Sequence, residues 1–128
     1  MRRSLVGLIP LLALACAGST TPTVRVDGVW TLTSTPFTPV EPRSLDLRQQ
    51  GSTVTGTGTA MGVDTPFLLP VTGTFQNTVL DIQLGDTAHN TQAGRITATL
   101  TSANQLVGRF KADTNAGGGS DTVTYTRQ

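Results

Sequence analysis

The chain has 128 residues, one Cys, one His and a formal net charge of +1. That length suits a single domain, and a lone thiol excludes an internal disulfide framework. Charged residues make up only 13% and form no Lys/Arg cluster that could track a phosphate backbone, which argues against nucleic-acid binding.

Met1-Arg2-Arg3 is a short basic segment, Leu5 to Leu14 is an apolar run, and Ala13-Leu14-Ala15-Cys16 follows. This is the layout of a secretory signal, too short to span a bilayer as a mature helix. Here the chain resembles bacterial lipoproteins, whose signal ends just before a Cys that becomes the acylated first residue. The resemblance implies a signal peptide over 1–15, lipidation (palmitate or a related acyl group) at Cys16, and a mature protein anchored in the cell envelope. The expected address is the periplasmic side of the outer membrane. Ala13 stands where that family prefers Leu, and Leu14 where it prefers a small residue. Ordinary cleavage after Ala13-x-Ala15, giving a secreted or periplasmic soluble form, therefore stays open as the alternative. Loss of Arg2 and Arg3 with the leader leaves seven bases against eight acids, a balance near −1.

Residues 16–26 are Thr-, Ser- and Pro-containing and are expected to form a tether about 30 Å long when extended. From residue 27 to 128 the dominant period is two, the signature of half-buried strands. Trp30 and Leu32 share one face. Pro36, Pro39 and Pro42 then mark a long first loop, since proline cannot donate to a ladder. Leu45 and Leu47 resume the alternation, and Gln50-Gly51-Ser52 turns the chain into Val54 to Thr59. Phe67, Leu69, Val71, Gly73 and Phe75 line one side of a longer strand, which Pro70 is expected to bend or bulge. Leu80, Ile82 and Leu84 follow, then a loop holding His89, then Ile96, Ala98 and Leu100. Leu106, Gly108 and Phe110 precede a glycine-rich loop, and Val123, Tyr125 and Arg127 close the chain.

Eight short strands joined mostly by tight connections predict an all-β fold, an eight-stranded antiparallel up-and-down barrel preceded by an N-terminal signal helix. The alternative is a two-sheet sandwich. Gly28-Val29-Trp30 on the first strand resembles the Gly-x-Trp of lipocalins and the wider calycin group. That resemblance implies that Trp30 plugs one barrel end beneath a basic residue of the last strand, a position matched here by Arg127.

Chemistry is sparse. His89 sits in a polar loop, and no nucleophile motif, phosphate loop, paired His or carboxylate pair is present, so no catalytic residue is assigned and the chain is not expected to be an enzyme. Asp113 to Asp121 places oxygen ligands as a calcium loop would, yet Thr124 stands where a bidentate Glu is required. No metal or cofactor is expected. Two functions remain. In one, a small apolar ligand enters the barrel mouth, lined by Phe67, Phe75, Phe110 and Tyr125. In the other, the barrel is fully packed and acts as a non-enzymatic envelope lipoprotein in structure or interaction, its partners being the membrane through its anchor and another envelope protein.

Overall fold

A computed structural model describes residues 24–36, 38–62, 64–85 and 93–128. The expected signal helix, Cys16, most of the tether and the His89 loop lie outside the described residues. Strands run β1 Gly28–Leu32, β2 Ser44–Gln50, β3 Thr53–Met61, β4 Pro66–Gln76, β5 Val79–Leu84, β6 Gly94–Ser102, β7 Gln105–Ala112 and β8 Ser120–Arg127. Among the described residues the helical content is limited to a single 3-10 turn, Thr114–Ala116.

Period two is what makes these segments strands. Along β6, Gly94, Ile96 and Ala98 are buried while Arg95, Thr97 and Thr99 are exposed, and β2 buries Leu45 and Leu47 between exposed Asp46 and Arg48. β-branched Thr on the outward face suits a pleated surface in water. Each strand pairs antiparallel with its sequence neighbour, and β1 also pairs with β8 through Trp30↔Arg127, Thr31↔Thr126 and Leu32↔Tyr125. The sheet is therefore a closed barrel, which leaves no free edge to template aggregation. This closure excludes the two-sheet sandwich.

Two interior glycines permit the tight coiling. A Cβ added at Gly73 would lie 2.1 Å from the Asp81 carbonyl oxygen, and one at Gly108 would lie 2.1 Å from that of Thr97. Only hydrogen fits where neighbouring backbones approach so closely. Pro70 causes no bulge, for β3 and β4 stay in register from Thr53↔Thr74 to Met61↔Pro66. Its missing N–H falls where β4 has run past the last β5 pair, Val71↔Leu84. No ladder donor is needed there, and its carbonyl accepts from Gly85. Packing also starts earlier than residue 27. Val26 is fully buried in the core, because Gln49 Oε1 accepts its N–H and draws the segment against β2.

The meander gives the barrel two unlike ends. Residues 24–27, the turns at 51–52, 77–78 and 103–104, and the end of β8 lie at the tight-turn end. The described residues that connect β1 to β2, β3 to β4, β5 to β6 and β7 to β8 lie at the opposite, long-loop end. Between them the interior is filled by Trp30, Leu45, Leu47, Leu80, Ile82, Leu84, Ile96, Leu106, Phe110 and Tyr125, all with at most 1% exposure. An eight-stranded barrel is just wide enough for such side chains.

Candidate functional site

Trp30 is buried, and its indole N–H donates to the Val26 carbonyl at 3.0 Å. Register places Arg127 beside it on β8, with the guanidinium carbon 4.4 Å from the ring centroid. The guanidinium then spends its donors on backbone: Nε on Ala103 O at 3.0 Å, Nη1 on Asp27 O, and Nη2 on Arg25 O at 2.8 Å. One side chain thus ties the N-terminal segment, the β6–β7 turn and the indole face into a single cap. Among the described residues no carboxylate pairs with it, so its charge is met only by carbonyl dipoles and the ring.

Asp27 does the complementary work nearby. Its carboxylate accepts from Arg25 Nε at 2.5 Å and from the Gln49 amide at 2.8 Å. The hydrogen bond from Arg25, then that from the Gln49 amide, hold its pKa below the usual carboxylate value. Arg25 also donates Nη2 to Gln49 O at 2.6 Å.

At the long-loop end the first loop turns inward. Thr38 to Glu41 form a β-turn, with the Glu41 amide donating to Thr38 O and Pro39 at the second position, where its fixed φ is favourable. Arg43 Nη1 bonds the carbonyls of Thr38 and Glu41 and braces the turn. Glu41 is fully buried and Pro42 is buried. Tyr125 of β8 donates its hydroxyl to Pro42 O at 2.8 Å. A Cβ on Gly58 would meet Pro42, Leu45 and Leu84 at 3.3–3.5 Å, so the proline ring lies inside the barrel. Burial, then the nearby Glu41 charge, push the Tyr125 pKa upward.

The four aromatics considered as a mouth lining are not gathered at one place. Phe67 is half-buried at the start of β4, with its ring near Gly62 of the β3–β4 loop. Phe110 is fully buried on β7 with its ring against Gly94. Tyr125 is fully buried beneath Pro42. Phe75 lies near the other end, next to the β4–β5 turn and opposite Leu80. A well-formed concavity lies elsewhere. A cleft of about 600 Å³ at the tight-turn end is lined by residues that include Val24, Arg25, Leu100, Ala103 and Arg127, and by none of those four aromatics.

Among the described residues no group of three or more His, Cys, Asp or Glu side chains is placed to hold a metal. In the glycine-rich loop, Gly117, Gly118 and Gly119 all adopt positive φ. Backbone hydrogen bonds close the turn, from the amides of Ala116 and Gly118 to Asp113 O and from that of Gly117 to Thr114 O.

Sequence reasoning missed the inward course of Glu41 and Pro42 and the cleft at the tight-turn end. The three prolines spaced three apart signalled a loop, not the direction in which it folds. The cleft has no local signal, since residues 24–25, 78, 100–104 and 127 meet only once the barrel closes. In comparisons with known proteins, no family model, curated protein or solved structure matches the chain.

Proposed function

We propose that the chain is an exported, lipid-anchored, non-enzymatic barrel of the cell envelope whose packed interior serves as a rigid scaffold, interaction falling to its surface. The observation that carries this reading is the inward β1–β2 loop: buried Glu41 and Pro42 occupy the mouth and the Tyr125–Pro42 hydrogen bond holds them there. With that space filled, an internal ligand would first have to displace protein. The position of residues 24–27 at the tight-turn end supports a tether leaving from that end, which would turn the long loops away from the membrane. Anchoring rests on the leader and Cys16.

Intact mass of the membrane-extracted protein tests the anchor, with diacyl or triacyl mass expected on a chain beginning at Cys16. Cys16→Ser should abolish that mass. Native mass spectrometry of the same material tests the packed interior, and the expected result is a barrel carrying no internal small molecule. A second reading is favoured by one observation: the plug is a loop, held by side-chain and turn contacts and not by a strand ladder, and half-buried Phe67 is at the same end. Withdrawal of 38–42 would open a mouth for a small apolar ligand, and a retained apolar molecule lost on Phe67→Asp substitution would select that reading.

A further inference from the structure

We propose that the cleft at the tight-turn end is a binding site for a single-chain anionic amphiphile, an acyl chain ending in a carboxylate. Its volume of about 600 Å³ falls in the range of roughly 300–1,000 Å³ typical of ligand pockets. Val24, Leu100 and Ala103 give it an apolar wall, and its charged lining residues are Arg25 and Arg127 with no Asp or Glu. Val24 is exposed and Leu100 only partly buried, so apolar surface is left in water that a hydrocarbon chain would cover.

The two cations differ in how their charge is met. Arg127 has hydrogen bonds to carbonyls but no carboxylate counter-ion among the described residues. Arg25 is paired through Nε with the Asp27 carboxylate and donates Nη2 to Gln49 O, so Asp27 meets much of its charge, while Nη1 has no partner among those residues. Its side chain is 47% exposed. A guanidinium held this way meets a carboxylate with little further ordering. The lining also includes Thr78, a β-branched residue held at φ +63°, a conformation such residues rarely take. Its carbonyl accepts from the Leu100 amide, which ties the β4–β5 turn to β6 beside the cleft. The cleft is separate from the plugged mouth and does not depend on the scaffold reading.

Every described strand lies within 24–128, so the chain from Ala17 to Gln128 keeps the whole closed barrel and is the material for the test. Decanoate, decanol and decyltrimethylammonium, all below micellar concentration, are titrated by calorimetry and by emission of Trp30, which is the only Trp and lies under Arg127. Decanoate is expected to bind at one site and to shift the emission. Decanol should bind about tenfold more weakly, the scale of one well-placed charge contact, and the cationic head more weakly still. Val24→Glu changes an exposed side chain and should lower decanoate affinity about tenfold with an unchanged melting temperature, whereas Arg25→Gln should lower affinity about tenfold with a fall in melting temperature of at most about 4 °C, because it also removes the exposed pair with Asp27. Equal binding of the three heads, no binding of decanoate, variants without effect, or binding only to anionic phospholipid vesicles would each overturn the proposal.

Discussion

Arg127→Met removes the guanidinium while keeping an apolar stem over the indole, and so isolates the polar part of the cap. The Nη1 bond to Asp27 O is part-buried, while those to Ala103 O and Arg25 O are exposed. A part-buried charged hydrogen bond contributes about 1.5 kcal/mol, and exposed ones about 0.5 kcal/mol each because water replaces them. The cation over the ring adds about 1 kcal/mol. Methionine restores some contact with the indole, so the net loss should be about 2–3 kcal/mol against a total stability of roughly 5–15 kcal/mol. At about 4–8 °C per kcal/mol for a domain near this size, the melting temperature should fall by roughly 10–20 °C. Thermal unfolding followed by circular dichroism measures the shift, and Trp30 emission should move to the red as the cap loosens. Arg109→Met is the control, since Arg109 is exposed and among the described residues bonds only the Ser120 hydroxyl, at 3.0 Å. A shift under about 4 °C for Arg127→Met, or equal shifts for both variants, would refute the assignment of the cap as a structural tie.

Gly108→Ala should be disabling, because the added Cβ would meet the Thr97 carbonyl and the Ala98 backbone; a soluble variant with unchanged strand circular dichroism would show that the barrel can relax there. Thr78→Gly should stabilise by about 1 kcal/mol in urea titration by relieving a left-handed β-branched residue, and a loss of stability would mean that Thr78 makes contacts outweighing its strain. Stability should decline above about pH 10, the ordinary tyrosine range: the folded pKa of Tyr125 is raised, so its contribution is complete below the unfolded value and is lost as the unfolded chain ionises. Urea midpoints from pH 7 to 11 should fall more steeply for wild type than for Tyr125→Phe. At the acid side, Asp27 has a lowered folded pKa, so its contribution is present above the usual carboxylate range near 4 and lost as pH falls through the folded value. Asp27→Asn should flatten that acid limb, with a small amplitude because the carboxylate is 40% exposed and screened by water.

The walls of the barrel were more legible than its ends, for a physical reason. Alternation depends on a residue and its neighbours two places away, so Leu45/Leu47, Ile96/Ala98 and Val123/Tyr125 announce their faces locally. The same parity carries Arg127 to Trp30, since paired residues of adjacent strands point the same way. Pro70 was misjudged because whether a strand has a partner at a given residue depends on where the next strand stops, which β4 alone does not encode. Glu41 and Pro42 were hidden by a sound general expectation. Loops usually run over the surface because buried backbone must find partners, and here the partners are the Tyr125 hydroxyl of β8 for the Pro42 carbonyl and, within the loop itself, Thr38 O and Arg43 Nη1 for the Glu41 amide and carbonyl.

That last case bears on how the two ends divide their work. A Pro-rich turn has little conformational entropy to lose, so it can fill the mouth at small cost, and a buried tyrosine hydroxyl then satisfies its carbonyl. The tight-turn end cannot be filled that way, since connections of two residues are too short to fold inward. It is closed by a side chain, Arg127, reaching across from the last strand. Closure by a cation leaves positive charge at the rim, and the flanking N-terminal segment leaves apolar surface beside it. The geometry that seals the barrel therefore also creates the cleft. For that reason Arg127→Met should lower melting temperature and decanoate affinity together, whereas Val24→Glu should lower affinity alone. Loss of both properties in Val24→Glu would place the residue in the cap and not in the wall of a site.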